Sequence, residues 1–185
     1  MLPETKHYTS DEFLAMAEHS EIRQELINGE IYDLAAPSRI HQNIVARLHY
    51  VIFDYIRNNH GTCEVMIAPF DVKLNEDNIV QPDVMVICDP SKLDERKCNG
   101  APDWIIEVTS SNYRTDYSEK LELYKTAGVK EYWIVNPKRK TTIVLFFEQN
   151  PGLFMLYHFN QDIPVNIYQD KPVQLTINIE KLLGL

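Results

Sequence analysis

Two short apolar runs, residues 81–87 and 103–109, each hold a carboxylate where the chain is otherwise suited to burial. In the first, Asp83 precedes Val84, Met85, Val86 and Ile87; in the second, Ile105, Ile106 and Val108 surround Glu107. Both runs are rich in β-prone residues and read as strands. A charge within such a strand is costly unless it is paired or binds a cation. Any fold this chain adopts must therefore bring both carboxylates to a place where their charge is answered.

At 185 residues, with 44% hydrophobic and 24% charged residues, the chain is expected to form a single domain, residues 1–185, with a substantial core. No apolar run approaches the length of a membrane span, and the polar N-terminus does not read as a signal peptide. Cys63, Cys88 and Cys98 are an odd number without zinc-like spacing. Cys63 and Cys88 sit in strand-like runs and read as buried reduced thiols, which implies a cytoplasmic protein.

The order of elements points to a mixed α/β fold. Thr9 and Glu12 form a capping-box pattern for a helix over 9–18. Asn28-Gly29 marks a two-residue hairpin between strands at 25–27 and 30–32. Pro37-Ser38 opens the longest helix, whose apolar face recurs from Ile40 through Ile44, Val45, Leu48, Val51, Ile52 and Tyr55 to Ile56. Two strands or one bent strand are expected over 64–68 and 71–74, then a strand at 79–88 and a polar loop over 89–102 with room for one helical turn. A strand at 104–109, a helix over 116–127 ended by Gly128, and a strand at 131–135 form one strand–helix–strand unit. Its two strands are expected to run parallel. A hairpin over 142–159 turns at Asn150-Pro151-Gly152. The tail adds a short strand near 173–176 and a final helix.

Strand alternation puts Gln81, Asp83, Met85 and Ile87 on one face, and Ile105, Glu107 and Thr109 on one face of the other strand. If Asp83 lies opposite Glu107, the pair suits magnesium, which takes oxygen ligands and keeps several waters; manganese would substitute. The main-chain carbonyl of Val108 could supply a further ligand. Such an ion polarises a phosphodiester and lowers the pKa of an attacking water. A lysine beside it would stabilise the charge that develops. Lys120 and Lys125 both border the apolar stripe of Tyr117, Leu121 and Tyr124, and periodicity does not choose between them.

Pro82-Asp83, Glu107-Val108-Thr109 and Lys120 resemble the active-site signature of the PD-(D/E)XK nuclease superfamily. The wider context of Glu25 to Glu30, His41-Gln42, Gln81-Pro82-Asp83 and Gly128 to Trp133 resembles its Uma-two branch of restriction endonucleases. The resemblance spans roughly residues 8–137. It implies a restriction-endonuclease-like core flanked by helices, with extra β-hairpins, and a magnesium-dependent endonuclease that hydrolyses DNA. Asp83 and Glu107 would be metal ligands and Lys120 the catalytic lysine, with Glu25 and His41 as candidate supporting residues. A homodimer would present two sites to two strands. Two positions depart from the pattern. Thr109 stands where the superfamily's plain pattern has its lysine, and the branch commonly carries that lysine on the following helix. Asn136 stands where the branch often has Asp.

Each residue also has an ordinary structural role. Asp83 could belong to an ion pair, and Lys120 could cover apolar surface with its stem. Glu25 could be an exposed hairpin charge, and His41 a hydrogen-bonded core histidine. Phe146, Phe147, Phe154, Tyr157 and Phe159 read as core or dimer surface rather than a base-stacking platform. The net charge of −9, from 18 Lys and Arg against 27 Asp and Glu, opposes broad nucleic-acid affinity. Local basic patches such as Arg96-Lys97 or 138–140 could contribute, but the balance argues for weak binding or for a partner that supplies the affinity. The rival readings are a catalytically silent nuclease-fold binding or assembly module, and a nuclease that acts on RNA.

Overall fold

The computed structural model describes residues 6–109, 113–148 and 152–184; the side chains of 113–118 fall outside that description. Tyr117 of the expected apolar stripe and Asn150-Pro151 of the expected turn therefore lie outside the described side chains or residues.

In chain order the elements begin with helix α1 (Ser10–Ala17), strands β1 (Gln24–Ile27) and β2 (Glu30–Asp33), and helix α2 (Arg39–Asn58). Strands β3 (Glu64–Ile67), β4 (Asp71–Asn75), β5 (Asn78–Val80), β6 (Val84–Ile87), β7 (Lys97–Asn99) and β8 (Trp104–Val108) follow. After helix α3 (Tyr113–Ala127) come β9 (Glu131–Asn136), β10 (Thr141–Phe146) and β11 (Phe154–His158). The tail holds β12 (Ile163–Pro164), β13 (Thr176–Ile177) and α4 (Ile179–Leu183).

A six-stranded sheet, ordered β11-β10-β9-β8-β6-β3, forms the centre. Strands β8 and β9 pair in parallel with α3 crossing between them, as the strand–helix–strand pattern requires. Alternation sends Val84, Val86, Trp104, Ile106 and Trp133 to one face, where Ile44, Leu48 and Ile52 of α2 cover them. Met85, Ile87, Ile105, Tyr132 and Ile134 point the other way, toward Tyr124 of α3 and toward Val72 and Val80 of the second sheet. That second sheet, ordered β2-β1-β5-β4-β7, is closed at one end by Phe13 of α1 against Leu26 and Ile79.

The local signals act as their chemistry dictates. Thr9 and Glu12 make a reciprocal capping box at α1. Asn28 and Gly29 both have positive φ, 51° and 77°, as a tight hairpin turn demands. Ser38 caps α2 by accepting from the His41 main-chain N–H.

Several expectations are corrected. The run 79–88 is not one strand: β5 belongs to the second sheet and β6 to the central one, with Gln81-Pro82-Asp83 as the crossing point. Proline there supplies no N–H for a ladder, so the chain leaves one sheet and enters the other. The loop 89–102 contains β7, parallel to β4. The tail strand is β13, and Val173 is exposed. Ile40 is also exposed, because it falls on the first turn of α2 beyond the sheet-facing stripe.

The cysteine reading is overturned as well. Cys63 and Cys88 form a disulfide. Glu64 pairs with Ile87 across β3 and β6, so the next residues outward are brought face to face. This bond removes the argument from reduced thiols to a cytoplasmic location. Cys98 is free and buried, and burial pushes its thiol up to about 11. Among the described residues no helix is long and apolar enough to cross a membrane.

Candidate active site

The crossing between the two sheets positions the first carboxylate. Strands β6 and β8 are antiparallel with Val84 opposite Ile106, so one residue further Asp83 faces Glu107. The Asp83 main-chain N lies 3.4 Å from Glu107 Oε2. Asp83 Oδ2 accepts from the Val108 N–H at 2.8 Å and lies 2.9 Å from His41 Nε2. Oδ1 accepts no hydrogen bond among the described residues. Asp83 stands just before β6, where the ladder leaves the edge of β8 open. The N–H and C=O of a strand residue point to the same edge, so the Val108 carbonyl shares that opening with Asp83.

Glu107 is buried at 5% exposure, and its Oε1 is held by two groups from α3. Lys120 Nζ donates to it at 3.0 Å and the Tyr124 hydroxyl at 2.7 Å. Lys120 and Tyr124 are one helical turn apart, so both reach the same strand residue. Burial, reinforced by the charges of Glu107 and Glu25, holds the Tyr124 phenol well above its usual pKa. It is therefore a protonated donor across the ordinary pH range. Lys120, itself 5% exposed, also lies 2.9 Å from each carboxylate oxygen of Glu25. Glu25 is buried rather than an exposed hairpin charge, and its Oε1 accepts from the Gln81 N–H at 2.8 Å.

The structure thus separates the two candidate lysines. Lys120 lies inside the cluster, whereas Lys125 is partly exposed and pairs loosely with Glu122 at 3.8 Å. Thr109, at the position of the missing lysine, is buried and uses its N–H to bond the Val135 carbonyl. Asn136 accepts from the Arg139 N–H through its side chain and closes the β9–β10 turn.

His41 is fixed by its place in the first turn of α2. Burial is the largest single influence on it and pulls its pKa down. The hydrogen bond and charge of Asp83, with the charge of Glu107, together raise it above the usual histidine value, against a smaller opposing effect of Arg23. Its Nδ1 is buried without a partner.

Asp83, Glu107, Val108, Lys120, Glu25 and His41 all line one open cavity of about 200 Å³. Formally, four carboxylates in that lining, Glu25, Asp33, Asp83 and Glu107, face two permanent cations, Lys120 and Arg23, an excess of negative charge that a bound cation would relieve. No group of three or more His, Cys, Asp or Glu side chains forms a ready metal cage among the described residues. Two carboxylates and one main-chain carbonyl do fit magnesium, a hard ion that retains waters in its shell. Arg23, Gln81 and Tyr124 are neighbours whose roles the sequence reading missed. The signals were present in the alternation of Arg23 with Glu25 and in the four-residue spacing of Lys120 and Tyr124.

Comparison with known proteins places this geometry in context. The family model Uma2, described as "Putative restriction endonuclease", matches residues 10–171. An uncharacterized protein of Synechocystis sp. is 24% identical over 151 residues, covering 80% of this chain and 78% of its own length. Among solved structures, a putative nuclease belonging to DUF820 from Anabaena variabilis superposes with a TM-score of 0.77. It is 21% identical, and the match covers 95% of this chain and 97% of that one.

Proposed function

The chain belongs to the Uma2 family of putative restriction endonucleases, and on that premise we propose that it is a magnesium-dependent endonuclease that hydrolyses DNA phosphodiester bonds. The observation that carries this reading is the convergence of Asp83 and Glu107 at one cavity, with Lys120 held against Glu107. The residues from 1 to 185 would act as one domain.

Asp83, Glu107 and the Val108 carbonyl would hold the ion, with manganese as a substitute. When bound, it would polarise the phosphodiester and lower the pKa of an attacking water. The protein's own groups divide the remaining work. His41 and the Val108 N–H both hold Asp83 Oδ2, which leaves Oδ1 for the cavity. Tyr124 and Lys120 fix Glu107 through Oε1. Glu25 grips Lys120 from the other side and keeps its ammonium at the cavity, where it would stabilise charge developing on the phosphate. His41, Glu25 and Tyr124 are positioning residues in this scheme.

The test is cleavage of plasmid and linear DNA with and without magnesium. The parent should cut only with the metal, and folded Lys120→Ala should lose about a hundredfold or more in rate. Equal cleavage by the parent and Lys120→Ala would reject this role. RNA cleaved in preference to DNA would redirect the reading to an RNA nuclease. Absence of metal binding at Asp83 and Glu107 would favour a silent binding module.

A homodimer belongs to the same proposal. Strand β11 is an edge of the central sheet, and Leu153, Phe154, Met155 and Leu156 on and beside it are exposed. An exposed apolar edge is a ready pairing surface. The hairpin aromatics divide accordingly, with Phe147 and Phe159 buried and Phe154 at the surface. Phe154→Lys with Leu156→Lys should shift the light-scattering mass from dimer to monomer.

A further inference from the structure

With a net charge of −9, a cation beside the catalytic cavity carries more information than it would in a basic protein. Arg23 precedes β1 and lies two residues before Glu25, so alternation aims both side chains to the same side. It lines the catalytic cavity and also a neighbouring cavity of about 430 Å³ that includes Arg96 and Lys97 together with Glu18, Glu21 and Asp71. Arg23 and Gln81 are common to both linings, which makes their contact the boundary between the cavities.

The contact is built with all the hydrogen-bonding ends of one side chain. Arg23 Nε donates to Gln81 Oε1 at 3.0 Å. Gln81 Nε2 donates in turn to Asp71 Oδ1 at 2.9 Å, while its main-chain N–H is held by Glu25. The amide is thereby oriented, and with it the plane of the guanidinium. Among the described residues, no hydrogen bond or ion pair occupies the terminal nitrogens of Arg23. The other cations of the two linings are engaged: Lys120 by Glu25 and Glu107, Arg96 by Glu18, and Lys97 by Asp94. A guanidinium fixed through Nε presents its remaining donors as a planar fork, the geometry suited to phosphate.

We propose that Arg23 binds a phosphate of the DNA strand next to the scissile one, with Gln81 positioning its fork, so that the strand passes from the catalytic cavity toward the one lined by Arg96 and Lys97. This rests on the nuclease reading and extends it to the path of the substrate. It also gives Gln81 a role: it connects the support of Lys120, through Glu25, to the support of Arg23.

The test is fluorescence anisotropy with a labelled DNA duplex over a series of salt concentrations, together with cleavage kinetics. Arg23→Ala should weaken binding about tenfold and lower the salt slope of log K by about 0.9, the loss of one phosphate contact. In cleavage, KM should rise more than kcat falls. Arg23→Lys should keep the parent's salt slope while losing part of the affinity. Gln81→Leu should do the same, because the charge remains and the fork is released. Parent-like affinity and slope in folded Arg23→Ala overturn the proposal while leaving the nuclease reading intact. A parent that binds DNA in an Arg23-dependent way but never cleaves it overturns the nuclease reading, and with it the placement of that phosphate beside a scissile one, while keeping the Arg23 phosphate contact. A parent that binds no DNA overturns both.

Discussion

Glu107 and Glu131 sit on adjacent strands of one sheet, and both are buried, at 5% and 0% exposure. Their partners separate them. Glu131 is answered by uncharged donors: Trp133 Nε1 at 2.7 Å, Asn166 Nδ2 at 3.0 Å and the Ile167 N–H at 2.9 Å. The bonds from Asn166 and Ile167 fasten the tail to the sheet. Glu107 instead shares a lysine with a second carboxylate, faces Asp83 and opens on a cavity. Burial of a carboxylate alone does not identify a reactive site. What sets Glu107 apart is an excess of carboxylates at a cavity, with a cation already held there.

The largest effect should separate the two sites by chemistry. Asp83→Asn or Glu107→Gln should lower DNA cleavage by about a thousandfold, whereas Glu131→Gln should keep the parent's rate per folded molecule. Initial rates on folded protein check this. In stability the order should reverse, because Glu131→Ala leaves one buried and two part-buried donors without their acceptor. It should cost about 3 kcal/mol in urea unfolding.

His41→Gln should have an intermediate effect. Removing the group that fixes Asp83 should raise the magnesium concentration needed for half-maximal cleavage by about tenfold, the usual scale for a residue that orients a ligand. A magnesium titration of the rate measures it.

A pH series sharpens the comparison further. Burial raises the pKa of Glu131 above 4.5, against the lowering effect of its bonds to Trp133, Ile167 and Asn166. Between 4.5 and that raised value the folded state holds more proton than the unfolded state. This group's contribution to stability therefore falls as pH rises through the window, by no more than about 1.4 kcal/mol per pH unit. Glu131→Gln should remove that slope from the stability profile. The smallest expected effect is Tyr124→Phe, with a loss of about 1 kcal/mol in unfolding free energy, because Lys120 still holds Glu107.

The same comparison explains what the sequence could convey. Alternation and β-propensity put Asp83 and Glu107 on strand-like runs and left their pairing a condition, while helix spacing left Lys120 and Lys125 alike and the family resemblance favoured Lys120. Glu131 also interrupts an apolar strand, so the local pattern alone does not distinguish it from Glu107. The distinction depends on Asn166 and Ile167, more than thirty residues away in sequence. The physical difference between Lys120 and Lys125 likewise lies in the ion pair with Glu25, supplied by a hairpin of the other sheet. The division of 79–88 between two sheets and the Cys63–Cys88 bond are set by tertiary pairing, which a single strand's pattern does not encode. Arg23 was missed for a related reason: its significance comes from Gln81, beyond the reach of local periodicity.

The most direct measurement is anomalous diffraction from crystals soaked in manganese. The expected result is an ion bound by Asp83, Glu107 and the Val108 carbonyl, with Lys120 beside it and no ion at Glu131. An ion bound elsewhere, or no ion between Asp83 and Glu107 at saturating manganese, would contradict the account.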